Sequence, residues 1–506
     1  MKSPAPYQKC YVSLNIFSLF LSIELSNGFS APESLSIVPS WSDLSKATLP
    51  STDLSKAILP SIDCLVEAKK NTNANIDDII ESQIDQTLPI FYRERNGWCV
   101  HSARLWLAME AKGIRYNTCL VEARGDTYDG SPTQDEEDNT DGRPECLLGL
   151  DLPQLRAVST DGKHELLSGA SNQECMSLLA KLDDMFPSSK PIWPPLDDDG
   201  NPACKSEDIS AAISAFMDIA PGSNICRQSP RAAWLFCSEE GYRLDPLPRD
   251  TLEKVLDDIE AVLGQSSGVF FAGNSFSAAD IFWIPMLERY SAQLPCLYEG
   301  LRPRGDVDRW PHIDAWYEAM DNVPAYACRV RGDGPSWRKV LYREPWWPSE
   351  ETWHPRDTVG PKGELKASED EVMNLFGDTN VQDDVWELYA SNNLHVAMTP
   401  EREAAACIIR NHQQLSSDFI KWADEWGYDE FSADEIDREL RKIATDLAAY
   451  EESPVDIGWE ITNRICLALA AYFDDRICVP RDMGAPAAKS CTSCEKLRHI
   501  ILDKMT

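Results

Sequence analysis

Apolar residues fall along this chain either in short continuous runs or at helical spacing among polar ones. Leu88-Pro-Ile-Phe-Tyr92 is a short apolar and aromatic run, which predicts a buried strand ending at the turn-prone Asn96-Gly97. From Ala103 to Ala111 the apolar Leu105, Leu107, Ala108 and Met109 sit among Arg104, Glu110 and Lys112, a helical spacing stopped by Gly113. Tyr116–Val121 then reads as a second strand. Asp161-Gly162 predicts a hairpin turn with His164–Leu167 as the returning strand. Beyond Lys190-Pro-Ile-Trp-Pro-Pro195 and Asp197-Asp-Asp-Gly200, helical periodicity dominates. In that half Ser277 and Asp280 have the spacing of a reciprocal N-cap, worth about 1 kcal/mol. Glu401–His412 and Asp437–Tyr450 are amphipathic, so the C-terminal region is expected to pack on what precedes it.

The remaining stretches punctuate these elements. Lys2 and Lys9 precede an apolar run from Tyr11 to Ile23, the order of a signal segment, and that run is too short to span a bilayer comfortably. Asp43-Leu-Ser-Lys-Ala-Thr-Leu-Pro-Ser repeats as Asp53-Leu-Ser-Lys-Ala-Ile-Leu-Pro-Ser. Two such copies cannot build a solenoid, and they read as a flexible spacer. Trp346 to Gly363 reads as a crossing loop rich in Pro and polar residues. The resulting division is 1–32 presequence, 33–86 linker, 87–190 α/β domain, 191–345 helical domain, 346–382 irregular connection and 383–506 helical extension.

Charge and cysteine content narrow the chemistry. With 83 Asp and Glu against 48 Lys and Arg, a net charge of −35 disfavours nucleic acid and anionic membranes as partners. Sixteen cysteines at no regular spacing are expected to be mostly reduced and buried. Cys491 and Cys494 form a C-x-x-C with no second pair to complete a zinc site, so no metal is expected. Trp98-Cys99-Val-His-Ser102 falls at the first turn of the predicted helix. Unpaired N–H groups and the helix dipole there favour a thiolate, making Cys99 the candidate nucleophile. The His101 side chain points away around the helix, which disfavours it as a general base. Cys119, in a predicted strand, and Cys146, in a loop, read as structural.

Cys99-Val-His-Ser followed by Leu107-Ala-Met-Glu-Ala-Lys-Gly-Ile-Arg-Tyr116 resembles the cysteine-type glutathione S-transferases, which open C-P-x-A/C/S and continue L-A-L-E-x-K-G-I-x-Y. Val100 replaces the family's usual Pro. Leu152-Pro153-Gln-Leu155 resembles the family's V-P-x-L strand, where a cis proline frees the preceding backbone to pair with the cysteinyl part of glutathione. Glu174-Cys175-Met, then Leu182-Asp-Asp-Met-Phe-Pro187, stand against the family's E-S and Y-L-D-E-x-F-P. The resemblance implies that Glu174 and Cys175 hold the γ-glutamyl end, with Cys175 a weaker donor than the usual Ser. Arg143 aligns with a Lys that approaches the glutathione carboxylate. Phe270 through Ile281 resembles F-x-x-G-x-x-F-S-x-A-D-I, and Trp310-Pro-His-Ile-Asp-Ala-Trp316 with Met320 and Pro324-Ala-Tyr resembles a second motif of the same helical domain.

These matches imply a thioredoxin-like N-terminal domain, an α-helical glutathione S-transferase C-terminal domain and an extra helical tail. Gly97-Trp-Cys, Gly142-Arg-Pro, Ile192-Trp-Pro-Pro, Arg231-Ala-Ala-Trp-Leu-Phe236 and Val479-Pro-Arg-Asp-Met-Gly-Ala-Pro486 resemble a narrower group, plant and algal members with long C-terminal additions. The resemblance covers most of 88–345 and returns near 400–500. It implies glutathione as co-substrate, a small hydrophobic or disulfide second substrate, and a possible homodimer. Gly28-Phe-Ser-Ala-Pro32 resembles the cleavage motif of bipartite plastid presequences, which implies the stroma; the secretory pathway is the alternative. Two functions stay open: thiol transfer or deglutathionylation by Cys99, and a non-catalytic binding protein of the same fold. Tyr92 and Ser102 are the substitutes for Cys99 should its sulfur be buried.

Overall fold

The computed structural model describes residues 38–48, 87–94, 97, 99–121, 150–158, 164–197, 199–220, 237–240, 243–339, 341, 383–393, 396–425, 431–449, 464–477 and 479–491. The presequence, the second repeat copy, Trp98, Arg143, Cys146, Cys494 and the 346–382 connection lie outside them. Everything below concerns the compact unit Ser40–Thr506.

Strand β1 (Ile90–Glu94) leads into helix α2 (Val100–Lys112) and parallel strand β2 (Asn117–Val121). Strands β3 (Gln154–Val158) and β4 (His164–Ser168) complete the sheet in the order β2-β1-β3-β4, with β3 antiparallel to both its neighbours. Helix α3 (Asn172–Met185) follows. This is the thioredoxin-like arrangement. β1 runs two residues beyond the expected apolar stretch because Arg93 is accommodated in the core. Its guanidinium lies 4.2 Å from the Trp106 ring, and burial, followed by Arg329, lowers its pKa to about 10. α2 begins at Val100 with Cys99 as its N-cap, at the turn where the sequence placed that cysteine, and ends at Gly113 with φ +67. That left-handed conformation suits glycine.

Helices α4 (Ser206–Ile219), α5 (Arg249–Gln265), α6 (Ala278–Leu297), α7 (Pro311–Met320) and α8 (Gly334–Lys339) form the helical half around a core shared with α2 and α3. α6 is buried along its whole length, with the polar Asp280, Glu288, Arg289 and Gln293 enclosed among its apolar residues, so it has no solvent-facing side. Its start shows the predicted capping box: Ser277 Oγ accepts from the Ala279 N–H at 3.2 Å, and the Asp280 carboxylate accepts from the Ser277 N–H at 3.0 Å. A hairpin, Cys237–Glu240 with Arg243–Pro246, also sits in this half; periodicity did not announce it.

The extension contributes α9 (Asp383–Asn392), α10 (Pro400–Glu425), α11 (Ala433–Ala448), α12 (Arg464–Arg476) and α13 (Ala485–Cys491), with a second apolar core. It docks on a π-helical turn, Tyr326–Val330: Arg329 Nη1 donates to the Pro480 carbonyl at 2.7 Å and Cys328 Sγ to Val385 O at 3.8 Å. Tyr389 reaches back to α2, its hydroxyl 2.8 Å from Glu110 Oε2.

Residues 41–48, expected as spacer, form helix α1 (Trp41–Thr48). The first repeat copy has its Leu44 buried in the second core, while Trp41 stacks on His412 at 4.3 Å and donates to Asp437 at 2.6 Å. Apolar burial against α10 and α11 outweighs the spacer-like composition.

Candidate functional site

Cys99 is the N-cap of α2, with extended backbone geometry (φ −69, ψ 117). Its Sγ accepts from the Ser102 N–H at 3.4 Å, satisfying one of the donors that a helix start leaves unpaired. The same sulfur lies 3.9 Å from the carbonyl oxygen of Leu152. The Leu152–Pro153 bond is cis, and both residues are buried. Pro153 in turn accepts from Gly169 N–H at 3.0 Å, which ties the bend to the end of β4. Residues 53 positions apart thus meet at one point, because β3 runs beside β1 and starts where α2 begins.

Cys175 lies in the first turns of α3 and is buried. Burial, followed by the opposing field of Arg104, moves its thiol up to about 11, and a smaller upward contribution comes from Cys99. Cys175 is therefore a neutral thiol, able to donate weakly and slow to attack. Glu174, one residue earlier, is exposed and accepts from the Ser171 hydroxyl at 2.9 Å. Cys99, Leu152, Pro153 and Cys175 come together at the start of α2 and α3, with Glu174 on the solvent side.

Arg104 was not singled out by periodicity, since an arginine in an amphipathic helix ordinarily faces water. It is buried, and its Nε donates to the Phe282 carbonyl at 2.9 Å while Nη1 donates to Asn172 Oδ1 at 2.8 Å. The guanidinium lies 3.7 Å from the Phe282 ring. It places a fixed positive charge between the two cysteine-bearing helices and the helical half. His101 is buried with Nδ1 3.1 Å from Arg104 Nη1, and burial, then Arg104, holds its pKa well below the histidine range. A neutral His101 turned towards Arg104 packs the helix.

Cys99 itself is 0% exposed. Tyr92 and Ser102, the two substitute hydroxyls, are buried as well. Ser102 Oγ has no hydrogen-bond partner among the described residues and lines a cavity of about 20 Å³ with Arg93, Gly97, Trp106 and Pro480. That volume suits about one water, not a tripeptide. Among the described residues no group of three or more His, Cys, Asp or Glu is placed to hold a metal ion.

A search of the curated proteins found no match. Solved structures match over about half of the chain at low identity and low TM-score. Glutathione transferase Omega 3C from Trametes versicolor is 16% identical, covering 51% of this chain and 86% of its own, with TM-score 0.29. Glutathione transferase E6 from Drosophila melanogaster is 18% identical, covering 50% and 94%, with TM-score 0.30. Rice GST1, solved in complex with glutathione, is 16% identical, covering 48% and 90%, with TM-score 0.29. The strand order and register carry the fold independently of these superpositions. A family model agrees for the helical half: residues 249–319, which include the capped start of α6, match the glutathione S-transferase C-terminal domain.

Proposed function

We propose that the chain is a glutathione transferase of the thiol-transfer type that uses Cys99. The observation that carries the reading is the sulfur of Cys99 capping α2 while facing the carbonyl of the residue before cis-Pro153. The Cys99 thiolate attacks the glutathione sulfur of a glutathionylated substrate, and the substrate thiolate leaves. A second glutathione thiolate attacks the glutathione sulfur now bound to Cys99, and the Cys99 thiolate leaves as oxidised glutathione forms. The N–H of Ser102 stabilises the negative sulfur at the start and end of the cycle. The backbone of Leu152 pairs with the cysteinyl part of glutathione, and Glu174, with Arg143, takes its charged ends. Glu174 is exposed, which suits an ammonium partner arriving from solvent. Burial of Cys99 requires the start of α2 to open locally before a disulfide sulfur reaches it.

The same burial favours a second reading, a binding protein that kept the fold without turnover. Turnover of a glutathionyl mixed disulfide by wild type and by Cys99→Ser separates the two. Activity lost in the variant supports thiol transfer; equal turnover removes Cys99 from the mechanism; retention on glutathione resin with no turnover by either supports the binding protein. The presequence-like start directs this activity to the plastid stroma in our reading, and a fluorescent fusion found in the secretory pathway would overturn that address.

A further inference from the structure

A second cavity, of about 120 Å³, lies between α2, the π-helical turn and the C-terminal extension. Arg410 of α10 lines it, with a side chain only 9% exposed. Its Nη1 lies 3.3 Å from Glu403 Oε1, whereas Nε and Nη2 are buried with no hydrogen-bond partner among the described residues. Those two nitrogens form the guanidinium edge that grips two oxygens of one anion in parallel. A buried cationic edge without an acceptor is strongly unfavourable.

The carboxylates in the cavity wall are already engaged. Glu110 accepts from Tyr116 at 2.5 Å, Tyr389 at 2.8 Å and Trp106 at 3.3 Å. Glu403 accepts from the Ala397 N–H at 2.8 Å besides Arg410, and Asp482, the third carboxylate of the wall, accepts from Arg481 Nε and Nη2, both at 2.8 Å. Two more cations, Arg329 and the exposed Arg115, line the same space. A cavity of roughly 150 Å³ takes a molecule of about six heavy atoms, so this one suits a compact ligand and excludes glutathione.

We propose that this cavity binds a compact oxyanion, inorganic phosphate or a short carboxylate, on the Nε and Nη2 edge of Arg410, with Arg329 and Arg115 supplying further positive charge. The bound anion ties the extension to the transferase-like core and acts apart from Cys99. Calorimetric titration of the full-length protein with phosphate and, separately, with acetate, at ionic strength matched with chloride, tests it. Saturable one-to-one binding is expected for at least one, and whichever binds identifies the source of the two oxygens. Arg410→Lys, which keeps the charge and loses the fork, is expected to bind at least tenfold more weakly. Hydrogen exchange on the wild type supplies the second readout: the anion is expected to slow exchange in α10 and α13, and chloride is not. Absence of saturable binding by both anions, undiminished binding by the lysine variant, or unchanged exchange in those helices overturns the proposal.

Discussion

Replacing Asp280 by alanine is expected to lower stability by about 3 kcal/mol, more than an isolated helix cap is worth. The carboxylate is fully buried and accepts from the N–H groups of Phe271 and Ser277 and from the indole of Trp316, all at 3.0 Å, as well as from the Ser277 hydroxyl. Alanine strands the three N–H donors, each at about 2 kcal/mol and so about 6 kcal/mol together. Burial holds the Asp280 pKa up at about 6 against those hydrogen bonds, so the ionised native carboxylate carries a penalty of about 3 kcal/mol that the substitution relieves. The difference leaves the net loss above. Phe271 stacks on Trp283 at 4.7 Å and meets Trp316 edge-on at 5.6 Å, so both indoles contribute to the tryptophan fluorescence that follows urea unfolding. A loss of about 1 kcal/mol or less would mean that Asp280 is only a cap and would falsify the network argument.

The same carboxylate makes a pH prediction. The native state keeps the Asp280 proton to higher pH than the unfolded chain does, so wild type should lose stability relative to Asp280→Asn, by up to about 3 kcal/mol, between pH 4 and 6. Paired denaturation curves at those pH values check the sign; a rise with pH contradicts it. Lys112→Met should lower stability by about 3 kcal/mol in thermal unfolding, because the Lys112 ammonium is buried against Asp183 and donates to the Lys190 carbonyl at 2.9 Å. Gly484→Ala should undock the extension, since a Cβ there would lie 1.8 Å from the Cys328 carbonyl oxygen. Faster limited proteolysis of the extension is the expected readout, with wild-type resistance as the contrary result.

Much of this molecule was legible locally. The short apolar run of β1, the helical spacing of α2, Gly113 as a helix stop and Ser277 with Asp280 as a cap all reflect interactions within a few residues, and such interactions are written in adjacent letters. The cis bond at Leu152-Pro153 was expected only from the family resemblance. Burial against distant elements was not legible. Arg93 and Arg104 look like surface cations until Trp106 and Phe282 are brought over them. The repeat at Asp43 looks like spacer until α10 and α11 cover Leu44. Position along the chain placed Cys99 at a helix start, with an N–H to receive its sulfur. Only the tertiary structure decided that this sulfur is enclosed, because the residues that close over it come from other parts of the chain.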